Sequence, residues 1–119
     1  MAEFTELAAR LEEEPKVTAK DVRELSFGDR LKIHAALTHD MRLNILKYLS
    51  KNKAASFSCI KEEFNLNPNT LSYHLKILEY AGLVHSEYSK NPDTREYSRY
   101  SLMDLGKEML KVEDYTKWL

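Results

Sequence analysis

Polar side chains recur between positions 69 and 76 at a spacing that places them on one side of a helix. Leu71, Leu75 and Leu78 follow one another at steps of four and three, which defines an apolar face. Four side chains must then project away from that face, and they are Asn69, Ser72, Tyr73 and Lys76. Asn pairs with adenine through two hydrogen bonds, Ser and Lys contact base edges or phosphates, and a Tyr ring packs on a thymine methyl. These residue types at this spacing predict contacts with double-stranded DNA.

Two further residues of the same segment have different predicted roles. Thr70 stands near the helix start, where the helix dipole and free backbone N–H groups favour a phosphate. His74 lies beside the apolar stripe, and a lone histidine there is more often a hydrogen-bonded packing residue than a ligand or a base reader. We therefore predict a phosphate contact for Thr70 and a packing role for His74. The alternative for the polar residues is an ordinary solvated face.

The helix that carries these residues has well-defined ends. Asn67 is suited to cap its N-terminus, Pro68 suits the first helical position, and Gly82 suits the C-terminal stop. Before it, Ser58 is expected to cap a short helix that runs through Phe64. Only residues 65–67 then separate the two helices, which predicts a tight helix-turn-helix unit.

A β-hairpin is predicted to follow this unit. Residues 83–88 and 96–102 are rich in β-branched and aromatic side chains, and the link between them contains Asn-Pro-Asp, a turn-forming sequence. Two helices joined by three residues and followed by a hairpin form a winged helix-turn-helix, whose second helix enters the major groove. Cations of the hairpin, or wing, are suited to neutralise phosphates, although Glu87, Asp93 and Glu96 weaken the local field. The predicted wing contacts are Lys90, Asn91, Arg95 and Arg99.

Helices are also predicted on both sides of this unit. Apolar residues at helical spacing predict a helix at 3–14, one from Thr18 to a stop at Gly28, and one that begins at Asp29. Two more are predicted, one that Thr38 caps and one at 103–119. The predicted fold is mainly α (α+β): a winged helix-turn-helix with a two-stranded β-hairpin wing and flanking N- and C-terminal helices. The predicted segments are an N-terminal helical extension at 1–27, a DNA-binding domain at 28–102 and a C-terminal helix, a dimerisation element, at 103–119.

Three stretches of the sequence resemble the arsenical-repressor (ArsR-like) winged-helix family. They are LTHDMRLNIL at 37–46, NTLSYHLKIL at 69–78 and AGLV at 81–84. The resemblance covers roughly residues 30–103, and its most specific part joins SYHL at 72–75 to the entry into the wing at 82–84. Residues 1–27 lie outside it. The resemblance implies a DNA-binding regulator.

The resemblance also implies a dimer built from the first and last helices. The apolar and aromatic candidates for that interface are Phe4, Leu7, Leu11, Leu105, Met109, Val112, Tyr115 and Trp118. The alternative is that each helix only closes the core of its own monomer. Arg42 matches an arginine of the family, and two roles stay open for it: a phosphate contact or a structural salt bridge.

Metal sensing, which many relatives perform, is not expected here. Those relatives use cysteine pairs on the helix before the DNA-reading helix, or Asp and His ligands on the last helix. This chain has a single cysteine, Cys59, and residues 103–119 contain no histidine. We predict no metal and no cofactor, and we expect Cys59 to be a buried core residue.

Composition and charge restrict the remaining classes of function. The chain of 119 residues fits one domain, and we expect neither a signal peptide nor a membrane span. No nucleophile, base and orienting group stand at a recognisable spacing, which argues against an enzyme. The net charge is only −1, but bases exceed acids by three within residues 28–102, while acids predominate in both flanking segments.

The sequence therefore predicts a cytoplasmic, sequence-specific double-stranded DNA-binding transcription regulator that acts as a homodimer. The near-neutral charge leaves one alternative open, a winged-helix scaffold that binds proteins and not DNA. Apolar or acidic residues at the four polar positions would favour the scaffold, and of these only Tyr73 fits. No residue pattern identifies a small-molecule or protein effector.

Overall fold

The computed structural model describes residues 16–19, 22–89 and 97–111 of the chain. A short 3-10 helix at Val22–Glu24 precedes the regular elements of these ranges. In chain order these are α1 (Phe27–Leu37), α2 (Asp40–Lys51), β1 (Ala54–Ser56), α3 (Phe57–Phe64), α4 (Pro68–Tyr80), β2 (Val84–Ser89), β3 (Tyr97–Leu102) and α5 (Asp104–Met109). A helix, a three-residue connection, a second helix and a hairpin follow one another at α3 to β3, which confirms the predicted winged helix-turn-helix.

The sheet contains the predicted wing and one additional strand. Strands β2 and β3 pair antiparallel, with Ser86 opposite Tyr100 and Glu87 opposite Arg99. The unpredicted strand β1 pairs with the other edge of β3, and Ala55 lies opposite Tyr100. The order is thus β1-β3-β2, with the returning wing strand in the centre. Because β1 directly precedes α3, this pairing anchors the helix-turn-helix to the base of the wing.

One hydrophobic core joins these elements. The predicted apolar stripe of α4, Leu71, Leu75 and Leu78, is almost completely buried in it. Val17 and Leu25, from the N-terminal segment, are buried in the same core. Residues from all three predicted segments therefore contribute to one packed interior.

The interface prediction for Leu105 and Met109 is wrong for the described chain. The two side chains are 1% and 0% exposed, and both belong to the core of the monomer. The two positions of α5 that we expected to face a partner instead cover the sheet and the helices beneath it. For these two residues the alternative reading, closure of the chain's own core, is confirmed.

The start of α1 differs from the prediction. Ser26 caps this helix, and its Oγ accepts a hydrogen bond of 3.1 Å from the backbone N–H of Asp29. Gly28, predicted as a helix stop, lies within the first turn of α1. Of the stretch that was expected to be helical from Thr18, the described residues 18, 19 and 22–26 contain the 3-10 helix at Val22–Glu24.

Two other caps are displaced by one or two residues. His39, not Thr38, caps α2, because its Nδ1 accepts from the backbone N–H of Met41 at 3.2 Å. Ser56, not Ser58, caps α3 by accepting from the N–H of Cys59 at 3.1 Å. In both cases a neighbouring side chain reaches the unpaired N–H groups of the first turn.

The N-terminal strap, residues 16–19, packs against the end of α4. The Val17 N–H donates a hydrogen bond of 3.0 Å to the carbonyl oxygen of Tyr80, the last residue of that helix. Gly82 follows with φ +76, and a Cβ atom there would lie 2.7 Å from the Val17 carbonyl oxygen. The position therefore requires glycine both for its backbone conformation and for this close approach. Gly82 ends α4 as predicted.

Several predictions lie outside the described residues. They include the helix at 3–14, most of the helix at 103–119 and the wing link. The interface candidates in this group are Phe4, Leu7, Leu11, Val112, Tyr115 and Trp118. No helix of the described ranges is long and apolar enough to cross a lipid bilayer.

Candidate nucleic-acid interface

Local sequence determines where α4 begins. Asn65 adopts a left-handed conformation, with φ 50, and ends α3. Asn67 then caps α4, since its Oδ1 accepts a hydrogen bond of 2.8 Å from the Asn69 N–H. Pro68 occupies the first helical position, where its missing N–H is not needed. The three-residue connection, the cap and the proline are all as predicted.

The outer face of α4 carries the five residues that we predicted to contact DNA. Asn69, Thr70 and Ser72 are exposed, while Tyr73 and Lys76 are half-buried. They occupy the first two and a half turns of the helix, and Tyr73 also packs against the edge of the core. The fold thus presents amide, hydroxyl and ammonium groups together on one accessible helix face.

The inner face of α4 holds a buried polar pair. Arg42, from α2, donates through Nε to Nδ1 of His74 at 3.1 Å. Its Nη1 donates to the carbonyl oxygens of Ala35 at 3.2 Å and Ala36 at 3.5 Å, near the end of α1. One guanidinium therefore links three helices and donates to carbonyl groups at the end of α1, of which that of Ala35 also accepts from Oγ1 of Thr38 at 3.0 Å.

Burial decides between the roles that the sequence left open for Arg42. The residue is 6% exposed, and its partners are backbone carbonyls and an imidazole. This arrangement favours a structural role over a phosphate contact, although no carboxylate takes part as in a salt bridge. His74 is 4% exposed and hydrogen-bonded, which confirms the packing role predicted for it.

The buried pair has a defined protonation state. Burial lowers the pKa of His74 to about 4, and the charges of Arg42 and His39 act in the same direction. His74 is consequently neutral at physiological pH, with Nδ1 as the acceptor and the proton on Nε2. Burial also lowers the pKa of Arg42, against an opposing effect of Tyr73. A neutral imidazole beside a cationic guanidinium avoids placing two positive charges together in the core.

Tyr73 connects the buried pair to the outer face. The guanidinium carbon of Arg42 lies 5.5 Å from the centroid of the Tyr73 ring, within range of a cation–π interaction. The Tyr73 and His74 rings are 5.6 Å apart, and His74 in turn lies 4.6 Å from the ring of His39. Arg42 and His74, which are both almost completely buried, therefore contact Tyr73 from beneath.

The wing contributes one described residue of the predicted set. Arg99 is exposed on β3 and lies opposite Glu87 of β2. Glu87 also approaches His85, with 3.4 Å between its Oε1 and the histidine Nε2. The neighbouring carboxylate weakens the field of Arg99, as the sequence suggested. The other predicted wing contacts, Lys90, Asn91 and Arg95, lie outside the described residues.

Some exposed residues were not recognised from the sequence. Phe27 and Leu31 are 69% and 46% exposed, four positions apart on α1, and Tyr88 of the wing is 64% exposed. The spacing of Phe27 and Leu31 was visible, but it is equally typical of a core-facing stripe. Cys59 is exposed on α3, so the prediction of a buried cysteine is wrong. Its position in the first turn directs it to solvent, while Ile60 fills the core.

The described ranges hold no group of three or more His, Cys, Asp or Glu side chains placed to bind a metal ion. These ranges include the helix before α4, where Cys59 lies, and residues 104–111. The amide, hydroxyl and ammonium groups of the outer face of α4 supply hydrogen bonding and charge.

Comparisons with known proteins agree with this geometry. Residues 37–87 match the family model of a helix-turn-helix domain. The structure resembles that of a transcriptional regulator homologue from Pyrococcus horikoshii, with 27% identity and a TM-score of 0.61, over 76% of this chain and 86% of that one. It also resembles HlyU from Vibrio cholerae, with 25% identity and a TM-score of 0.58, over 74% and 90% of the two chains. No curated protein sequence gave a significant match. Together with the element order, these likenesses show that the chain has a winged helix-turn-helix fold.

Proposed function

We propose that this protein is a sequence-specific, double-stranded DNA-binding transcription regulator that acts as a homodimer. The outer face of α4 is the observation that carries the proposal. Its exposed Asn69, Thr70 and Ser72 and the half-buried Tyr73 and Lys76 are the types that read base edges and hold phosphates. A solvent-exposed helix of a scaffold would not need the buried hydrogen bond between Arg42 and His74 beneath this face.

The comparisons support the same proposal. The helix-turn-helix match includes α4 and most of β2, and one similar structure is described as a transcriptional regulator homologue. The resemblance of 37–46, 69–78 and 81–84 to arsenical repressors makes that type of regulator the more specific proposal. Such a protein works where its DNA is, so the proposal includes a cytoplasmic location.

A fluorescence-anisotropy titration tests the DNA contact. The probe is a random-sequence duplex of about 30 base pairs, long enough for two half-sites one turn apart. The variant Asn69→Ala, Ser72→Ala, Lys76→Ala removes three side chains from the outer face. We expect it to weaken binding by about 10-fold or more, and wild-type affinity to fall linearly in log–log plots against salt.

A matched control is available on α2. Asn44, Lys47 and Ser50 are exposed and have the same three residue types as the outer-face set. The variant Asn44→Ala, Lys47→Ala, Ser50→Ala therefore removes the same charge and the same polar groups from another helix. It is expected to retain nearly wild-type affinity. Equal losses in the two triple variants, or a folded wild type that binds no duplex at low salt, would contradict the proposal and favour the protein scaffold.

The homodimer part of the proposal has a surface to support it. Phe27 and Leu31 expose large apolar side chains on the same side of α1. Aromatic and aliphatic residues of this kind are typical anchors of subunit interfaces. In a two-fold dimer the two α4 helices would enter major grooves about 34 Å apart, and the site would be pseudo-palindromic.

Sedimentation equilibrium tests the dimer independently of DNA. We expect the wild type to sediment as a dimer and the variant Phe27→Ser, Leu31→Ser to shift towards the monomer. The variant Phe27→Leu, Leu31→Met keeps the face apolar and is expected to remain dimeric. A monomeric wild type at micromolar concentration, or a footprint that covers a single half-site, would contradict this part of the proposal.

A further inference from the structure

One carboxylate oxygen joins three separate parts of the chain. Oε1 of Glu79, in the last turn of α4, accepts a hydrogen bond of 2.7 Å from Oγ of Ser86 in β2. The same oxygen lies 3.5 Å from Nζ of Lys16 in the N-terminal strap. We call this group of three residues the Glu79 junction. Neither the resemblance nor the helix-turn-helix match assigns a role to it, and Lys16 lies outside both.

The hydrogen bond of Glu79 is the stronger of these two contacts. Its length is typical of a hydroxyl that donates to a charged carboxylate, and the pair is partly shielded from solvent. The Lys16 side chain is 43% exposed, so solvent screens its ion pair and the contact contributes little by itself. Tyr100, opposite Ser86 in the sheet, lies close enough that its pKa, raised mainly by burial, is raised further by the Glu79 charge.

The junction lies where the orientation of the wing is determined. Only residues 81–83 separate α4 from β2, and this connection turns at Gly82. The backbone holds this connection at its base, since the Leu83 N–H donates to the Leu78 carbonyl oxygen at 3.0 Å and β1 pairs with β3. The bond from Glu79 to the third residue of β2 adds a side-chain tie further along the wing strand. The strap then covers the turn from the outside, through Val17 and its bond to Tyr80.

We propose that Glu79 is a positioning residue that holds the wing at a fixed orientation relative to α4, so that both reach the same DNA duplex at once. The N-terminal strap covers the same turn, and Lys16 adds only a solvent-screened ion pair to the Glu79 carboxylate. The inference rests on the proposed DNA-binding function. In this assignment Glu79 touches no DNA, and its effect on affinity arises entirely through the wing.

Two substitutions at position 79 separate positioning from charge. Glu79→Gln and Glu79→Ala remove the same negative charge and the same ion pair with Lys16. Gln keeps a side-chain oxygen that accepts the Ser86 hydrogen bond, whereas Ala does not. The difference between the two variants therefore isolates the bond. Affinity and its salt dependence are measured on the random-sequence duplex of about 30 base pairs described above.

We expect Glu79→Gln to bind at least as tightly as the wild type, because it removes a negative charge near DNA. Glu79→Ala is expected to bind about threefold to tenfold more weakly than Glu79→Gln, as simultaneous contact by helix and wing is lost. Its plot of log affinity against log salt should also be shallower by about one, since a phosphate contact of the wing is no longer made.

The salt slope is the readout that a purely structural role would leave unchanged. A loss of folded protein lowers the binding-competent concentration but not the number of phosphates that each folded molecule neutralises. Thermal unfolding followed by circular dichroism establishes that the variants are folded at the titration temperature. Ser86→Ala approaches the same bond from the wing and should reproduce the change in slope. Combined with Glu79→Ala it should add little further, because both changes remove one bond.

The Lys16 ion pair is tested with Lys16→Ala against Lys107→Ala, an exposed lysine of α5 that gives the same change in charge. Because Glu79→Gln also removes this ion pair, Lys16→Ala is expected to lose no more affinity than Lys107→Ala, and a larger loss would contradict the assignment of positioning to the Ser86 bond. Equal affinities and equal salt slopes for Glu79→Ala and Glu79→Gln would overturn the inference while leaving the proposed function intact. A folded wild type that does not bind the duplex would instead overturn the proposed function, and the inference with it.

Discussion

Both faces of α4 carry polar side chains, but these side chains lie in opposite environments. On the inner face His74 is 4% exposed and paired with a guanidinium that reaches the end of α1. On the outer face Asn69, Thr70 and Ser72 are exposed to solvent. A helix that only packed in a core would have no use for the inner pair, since apolar residues fill that space without leaving polar groups to satisfy.

This difference suggests that the two faces of α4 have different roles. Buried hydrogen bonds are directional, so they fix the rotation of α4 about its axis more tightly than apolar packing does. Exposed polar groups keep their hydrogen-bonding capacity for a partner. We infer that inner-face changes act on stability and outer-face changes on binding, and the following measurements test that separation.

The largest effect on stability is expected from Arg42→Ala. The substitution leaves Nδ1 of His74 without its donor in the interior and removes the Nη1 bonds to the carbonyl oxygens of Ala35 and Ala36. We expect a loss of about 3 kcal/mol in the free energy of unfolding, measured by urea denaturation. Arg99→Ala removes the same side chain from an exposed position and should change stability by no more than about 0.5 kcal/mol. Similar values for the two variants would contradict the structural role of Arg42.

Acid is expected to act next most strongly on the inner face. His74 has a pKa of about 4 in the folded chain, against 6.5 when free. Between these values the unfolded chain binds a proton there and the folded chain does not, so stability falls as the pH decreases from 6.5 towards 4. The contribution is fully present above pH 6.5. By pH 5 about 2 kcal/mol should be lost.

The variant His74→Gln identifies the source of this pH dependence. It retains a side-chain acceptor for Arg42 but has no group that titrates. Carboxylates and the other histidines contribute to both proteins, and the difference in unfolding free energy between wild type and variant cancels them. That difference should decrease as the pH falls. If it were constant from pH 7 to 4, His74 would not be the responsible group.

A smaller effect is expected from the cap that both faces share. Asn67→Ala removes the oxygen that accepts from the Asn69 N–H and should destabilise the protein by about 1 kcal/mol. Asn67→Ser retains a capping oxygen and should restore most of that loss. Thermal unfolding of the three proteins in parallel gives the comparison. If Asn67→Ala did not change the stability, tertiary contacts alone would define the start of α4.

The smallest effect on stability is expected from the outer face. The variant Asn69→Ala, Ser72→Ala, Lys76→Ala should change the free energy of unfolding by no more than about 0.5 kcal/mol, since alanine also favours the helix. Its effect should appear in DNA affinity. If urea denaturation showed that this variant loses as much unfolding free energy as Arg42→Ala, the distinction between the two faces would not hold.

Local signals explain why α4 was predicted from the sequence in nearly full detail. Asn67, Pro68 and Gly82 act on the backbone within one turn, and the leucine stripe repeats with the period of the helix. The face that the stripe leaves outside follows directly. The candidate interface on α4 was therefore predictable, whereas its contacts with DNA stay a prediction.

The features that were missed depend on distant parts of the chain. Strand β1 has only three residues, and its partner β3 lies beyond two helices and the first wing strand. The burial of Leu105 and Met109 depends on the same assembly, since an apolar stripe does not reveal whether it meets its own core or a second chain. The Glu79 junction joins residues with no pattern in common. The displaced caps have a different origin: two nearby polar residues can each form the cap, and the local backbone geometry determines which one does.

The contact between Val17 and Tyr80 has a consequence for the order in which the chain acquires its structure. Val17 is synthesised early, but its hydrogen-bond acceptor and the Gly82 surface beneath it exist only after α4 is complete. Contacts between residues so far apart in sequence form late, because a large loop must close first. The strap, which is synthesised before α4, therefore docks late, and until it does the turn from helix to wing is uncovered.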